Sequence, residues 1–140
     1  MAQQNRITYD SPVEPEVIVK EISNMKQQFT QYGGARPFGV SLMFAGINAK
    51  KLELYTSDVT GNYFSYHANA IGESEDKARE KLRTKYKQDL TLKKGVKLAL
   101  EIIEEIKGKS FDINKFELAY IKHNEKIHRI DGEEIKNFAK

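Results

Sequence analysis

Lys26 to Gly46 reads KQQFTQYGGARPFGVSLMFAG, and the fold is decided by how that run changes character. Its first residues are the tail of an amphipathic pattern that starts upstream. Val17, Ile18, Ile22, Met25 and Phe29 recur at spacings of three to four, which places them on one stripe of a helix. The predicted helix begins between Pro12 and Glu16, where Ser11 with Glu14 has the form of a capping box and Pro15 suits a first helical position. Gly33 and Gly34 end it, because glycine enters the left-handed conformation at little cost. Pro37 then opens an almost continuous apolar run to Ile47, the pattern of a strand buried on both faces.

Downstream, Leu52 to Thr56 alternates as a half-buried strand, Ser57 to Asn62 is rich in turn residues, and Tyr63 to Ile71 returns as a third strand. This is a β-meander by the turn rules. Gly72 closes it. Ser74 is placed to cap a helix running through Tyr86, with Glu75 and Asp76 at its positive end and a thin stripe of Ala78, Leu82 and Tyr86. Thr91 opens a greasier helix whose inner face is Leu92, Val96, Ala99, Ile103 and Ile106, widened by Leu98 and Ile102 and stopped by Gly108. Phe116 to Ile121 and Lys126 to Ile130 read as a hairpin, and Asp131 with Glu134 signals a last short helix carrying Ile135 and Phe138. Met1 to Asp10 is polar and reads as a frayed helical turn leaving an earlier element. Blocks of helices between antiparallel strands indicate a layered α+β fold rather than a doubly wound parallel sheet.

At 140 residues the expectation is one domain, 1–140. Hydrophobic content of 39% with 31% charged residues describes a globular chain, not a disordered one. Without cysteine there is no disulfide and no thiolate metal site, which suits a reducing cytosol. Val40 to Ile47 falls far short of the ~20 apolar residues that span a bilayer, and MAQQNRITYD holds no apolar signal region. A cytoplasmic chain with no membrane partner is expected.

Three groups of residues invite a chemical reading. The net charge of +3 and the basic run Lys77, Arg79, Lys81, Arg83, Lys85, Lys87, Lys93, Lys94 and Lys97 raise a small nucleic-acid-binding module as an alternative. Only Tyr86 interleaves as an aromatic, and Glu75, Asp76, Glu80 and Asp89 are mixed in, so a solvated helical face with i,i+4 pairs is favoured and no nucleic acid is expected. His123 and His128, even with Glu125 or Asp131, match no standard zinc spacing, so no metal is expected. Gly33-Gly34 with Gly39 lacks the Gly-Lys-Ser/Thr ending of a phosphate loop, and no cofactor is expected.

The core is short of strands. At most five are present. One sheet with helices on both faces satisfies them. Two stacked sheets need further strands, and without those a large apolar inner face is bare.

The letters of Lys26 to Gly46, with Asp58 and Gly61 in the turn, Tyr66, Ala68 and Ala70 to Gly72 after it, and Thr91-Leu92 at the later helix, resemble the α-subunit family of archaeal-type proteasomes. The resemblance covers nearly the whole chain. It departs at Val59-Thr60, in place of the usual Pro-Ser, which is expected to loosen the turn, and at Glu73, where a small residue is common. Lys93, Lys94 and Gly95 replace a more acidic first turn, and each lysine opposes the helix dipole by on the order of a few tenths of a kcal/mol.

The resemblance implies part of a four-layer αββα sandwich of the N-terminal-nucleophile hydrolase type, completed by an N-terminal portion preceding this sequence. That portion carries the first strands, the first helix and the gate segment. The chain is then the C-terminal part of a subunit, either split between two chains or truncated. Its implied function is that of a non-catalytic α-ring subunit of the proteasome core particle, which gates substrate entry for protein degradation. The implied partners are β-subunits, neighbouring α-subunits, a separate chain supplying the N-terminal half, and a regulatory ATPase ring. Tyr32, Gly34 and Arg36 are the implied contacts to the gate or to a neighbouring subunit, and the Arg36 guanidinium suits bidentate contacts to carboxylates or carbonyls. No catalytic residue is expected. A stand-alone hydrolase of this superfamily needs an N-terminal Thr, Ser or Cys, whereas loss of Met1 exposes Ala2, and Thr8 and Ser11 are internal.

Overall fold

The computed structural model describes residue 7 and residues 13–33, 36–48, 51–123 and 125–139. The mixture of helices and antiparallel strands makes the fold α+β, as the sequence indicated. The chain packs as two compact units, one ending at His67 and the other beginning at Ala68.

The first unit is one helix on a meander. Helix α1 spans Pro15–Gln31 and strands β1 (Leu42–Asn48), β2 (Lys51–Ser57) and β3 (Tyr63–Ser65) pair antiparallel in the order β1-β2-β3. Pro15 sits in the first turn, where its missing N–H costs nothing. Ser11 lies outside the described residues. Glu14 is itself the N-cap residue and its side chain makes no cap bond, so the capping box is not what starts this helix. The face of the meander under α1 carries Gly46, whose missing Cβ leaves room for Pro15: a Cβ there would come 2.5 Å from the proline ring. Gly46 pairs with Glu53, Phe44 with Tyr55 and Leu42 with Ser57, so these six share the covered face.

Two expectations fail in this unit. Val17, Met25 and Phe29 are exposed, Ile18 and Ile22 are only half-buried, and the buried stripe of α1 is Val19, Ser23 and Lys26. The helix turns a partly polar face inward because the meander supplies hydrogen-bond partners for it, which an apolar stripe would leave unpaired. The strand expected from Pro37 begins only at Leu42, and Phe38, Val40 and Met43 are exposed rather than buried on two faces. Among the described residues of this unit, one side of β1 is covered by a helix; Phe38 instead sets its ring edge against Phe29, with centroids 4.7 Å apart.

In the second unit, α2 (Glu75–Lys85) and α3 (Leu92–Lys107) are followed by two short 3₁₀ turns, the hairpin β4 (Glu117–Tyr120) with β5 (His128–Asp131), and α4 (Gly132–Ala139). Val96, Ile113 and Ile135 form its core, with Leu100, Phe111, Leu118 and Phe138 packed around them. Thr91 caps α3 by accepting from the Lys94 N–H, and Gly108 ends it at φ 52°. The predicted inner face is shifted: Leu92 and Ala99 are exposed, and Ile102 is deeply buried. Ser74 does not cap α2. It is held in the left-handed region at φ 62°, and the Glu75 carboxylate takes the Gly72 N–H at 3.0 Å instead. The strand expected to run on to Ile71 stops at Ser65. Beyond it, Arg79 Nε donates to Asn69 Oδ1 at 3.0 Å and to the Ala70 carbonyl at 3.1 Å, so these polar groups serve α2 rather than a ladder. Lys81 and Lys85 of α2 both pair with Glu105 of α3, and their hydrogen bonds hold its carboxyl down at about 2.

Gly61 is the backbone position with least latitude. It sits at φ 90°, and a Cβ on it would lie 2.6 Å from the Ser23 carbonyl oxygen. Gly61→Ala is expected to destabilise the chain by about 1–3 kcal/mol in urea unfolding. Gly39→Ala, where a Cβ meets nothing within 4 Å, should change it far less.

Candidate functional site

The interior of the first unit is organised by an ammonium group. Lys26 lies on the inward side of α1, one turn after Ser23, and is 2% exposed. Its Nζ donates to the Val40 carbonyl at 3.0 Å, to the Asp58 carbonyl at 3.0 Å and to Ser57 Oγ at 3.2 Å. Three donors thus meet three acceptors, the condition under which a charge is tolerated away from water. Burial still lowers the Lys26 pKa from its ordinary value, against the opposing pull of Asp58. Ser23 Oγ donates to Ser57 Oγ at 3.1 Å, and Ser57 is fully buried. A serine beside a lysine suggests a nucleophile and base. Here the ammonium is committed to three oxygens and the serine is closed off from solvent, so the pair acts as a brace.

The turn from β2 to β3 is the second part of the site. Asp58 Oδ1 accepts from the Thr60 N–H at 2.9 Å, the Thr60 hydroxyl at 2.8 Å and the Asn62 N–H at 2.9 Å, while Oδ2 accepts from Asn62 Nδ2 at 3.1 Å. Burial alone would raise this carboxyl, but the bonds from Thr60 and Asn62 outweigh it and hold its pKa below the usual value. Thr60 thus fastens the turn through both its N–H and its hydroxyl. Gln27 Nε2 donates to the Gly61 carbonyl at 3.1 Å, which ties the turn to α1.

The predicted contact residues lie at one end of this corner. Tyr32 closes α1 through its N–H, which donates to the Gln28 carbonyl at 3.2 Å, and its side chain is 70% exposed. Arg36 is exposed on the chain that returns toward Val40. Gly34 lies outside the described residues. Lys26, Ser57 and Asp58 were not singled out from the sequence as an interacting set. The available signals were a lysine three residues after a serine on one helix face and an Asp-x-Thr-Gly-Asn turn.

The other candidates are already engaged. Arg79 Nη1 pairs with Glu75 at 3.1 Å, and Lys81 and Lys85 share Glu105, so the basic run is partly neutralised within its own unit. His128 Nε2 lies 3.0 Å from Glu125 and its ring stacks on Tyr120 at 4.9 Å. Among the described residues no group of three or more His, Asp or Glu is placed to hold a metal ion. No described helix is long and apolar enough to cross a membrane.

A family profile described as proteasome subunit matches residues 1–121. The chain belongs to the proteasome subunit family. Over 138 residues it is 41% identical to the proteasome subunit alpha of Pyrococcus abyssi, covering 98% of this chain and 52% of that protein. It is 36% identical over 137 residues to the subunit alpha of Methanothermobacter thermautotrophicus, covering 97% and 55%. Against the subunit alpha of Methanosarcina thermophila it is 32% identical over 139 residues, covering 99% and 56%. The chain spans about half the length of these relatives. The resemblance read from Lys26 to Gly46 and the later motifs is thereby upheld, and with it the assignment to the α-type of proteasome subunit.

Because the folded-state pKa of Asp58 is lowered, its contribution to stability is complete above the unfolded value, near 3.8. It is lost as the pH falls through the lower folded value. Asp58→Ala is expected to cost about 1–3 kcal/mol at pH 7 and to flatten the acid limb of stability below pH 4. Urea unfolding of both proteins across that range reads the effect.

Proposed function

We propose that the chain is the C-terminal part of a non-catalytic α-ring subunit of the proteasome core particle and helps form the ring that gates substrate entry. The observation that carries this reading is the alignment: nearly the whole chain, and only about half of each relative, is matched to proteins named proteasome subunit alpha. The fold is then one domain that forms part of a four-layer αββα sandwich, completed by an N-terminal portion on a separate chain. Catalysis belongs to β-subunits in the cytoplasm, and α1 faces the β-ring. Its outward residues Val17, Met25 and Phe29 are apolar and exposed, which suits a surface covered on assembly.

At the end of α1, Tyr32, Gly34 and Arg36 contact the gate segment or a neighbouring α-subunit. The exposure of Tyr32 and Arg36 supports that role, since both side chains are available to a partner.

Native mass spectrometry of the chain isolated from its own cells tests the reading. A ring-sized assembly holding this chain, a second short chain and β-type subunits is the expected result. A chain found only as a small species, with no affinity for β-subunits, contradicts it.

A further inference from the structure

Strand β2 is longer than the partner that β3 offers it. Their ladder stops at the pair Tyr55 and Ser65, and the Tyr66 N–H makes one more bond, to the Leu54 carbonyl at 2.8 Å. The first residues of β2 therefore have no β3 partner on that side. Between them and the departing chain lies a cleft of about 280 Å³, lined by residues 51–55 and 65–67. That volume is at the small end for a ligand pocket and suits a single group the size of a side chain.

One atom of the residues lining this cleft is left over. Glu53 Oε2 is buried and has no hydrogen-bond partner among the described residues. A carboxylate oxygen taken out of water with no donor is costly, and such a group in a folded chain calls for an explanation. Lys51 lines the same cleft but does not bond to that oxygen. Lys51 and His67, the other titratable groups at its mouth, are exposed and screened by water. Tyr55 is buried beside Glu53, and Tyr66 contributes an exposed ring. Burial pushes the Tyr55 hydroxyl up, and the Glu53 and Glu16 carboxylates push it further, which marks the corner as electrically negative. An unpaired carboxylate oxygen with two tyrosines around it is the lining that takes an organic cation. The oxygen accepts an N–H, and the aromatic rings attract the charge. We propose that the cleft binds a guanidinium or ammonium group on a chain the length of an arginine side chain, with Glu53 Oε2 as its acceptor. The site depends on no ring assembly. The cation is carried either by a free amine or by an arginine on another polypeptide, and the recognition chemistry is the same.

The test titrates the chain with agmatine, a free amine, and with N-acetyl-L-arginine methylamide, an arginine held in a peptide backbone, and reads backbone amide shifts by NMR. Saturable shifts centred on residues 51–55 and 65–67 are expected, and the tighter probe identifies the source of the cation. N-acetyl-citrulline methylamide, of the same shape without the charge, should bind at least tenfold more weakly. Glu53→Gln should weaken either cation by more than tenfold. Tyr66→Ala, which alters an exposed ring, should weaken it about two- to five-fold.

Urea unfolding supplies a second readout. Without ligand, Glu53→Gln should leave the midpoint unchanged or raise it, because it neutralises a charge that has no partner. Saturating cation should raise the midpoint of the natural chain and not that of the variant. The proposal is overturned if neither probe binds, if the citrulline compound binds as well as the arginine one, or if Glu53→Gln binds undiminished. A lowered midpoint for Glu53→Gln without ligand also overturns it, since the carboxylate would then be satisfied from within the chain.

Discussion

One buried ammonium sets the geometry of the first unit. Lys26 reaches from α1 to the carbonyls of Val40 and Asp58 and to the Ser57 hydroxyl, three points brought together from separate parts of the chain. A helix resting on a sheet through apolar contacts alone can slide, because those contacts are non-directional. A charge that must find three oxygens in a closed space cannot. Lys26 therefore fixes where the chain returns after α1 and where the β2–β3 turn sits, and Gly61 and Asp58 are shaped to that position. Burying the charge has a cost, seen in the lowered pKa of Lys26. The gain is a defined location for the exposed end of α1, where Tyr32 and Arg36 lie.

The sequence made this unit partly legible. Helix, meander and turn were all read correctly in kind, since periodicity and the turn-rich Ser57 to Asn62 announce them, although α1 ends at Tyr32 in extended backbone and not through a left-handed Gly33. The side of α1 that faces inward was not. Hydrophobic spacing favours Val17, Met25 and Phe29, whereas the meander accepts Val19, Ser23 and Lys26. Periodicity weighs apolar residues and has no means of seeing that a lysine will meet three acceptors far away in sequence. The same limitation hid the roles of Ser57 and Asp58. For the contact residues, Tyr32 and Arg36 were located by family resemblance and not by any physical pattern, and the fold adds only that they are exposed.

In the second unit the misreadings have a different origin. Ser74 is a good N-cap residue by composition, but Gly72 at φ 102° and Glu75 already close that turn from the other side. Tyr63 to Ile71 has the letters of a strand, yet Arg79 takes the polar groups of Asn69 and Ala70. In both places a side chain some residues away outbids local propensity, which is the usual way tertiary context overrides it. The strand that read as buried on both faces is a further misreading. Its letters ask for two covers, and the described residues of the first unit supply one.

The measurement that bears most directly on the brace is hydrogen exchange, followed by mass spectrometry, on the chain and its Lys26→Met variant. If Lys26 couples the helix to the turn, amides of residues 23–31 and 57–62 will lose protection together, while residues 92–107 in the other unit keep theirs. Unchanged protection in the turn, or a loss confined to the helix, would show that the two are held by other contacts and that the ammonium is incidental.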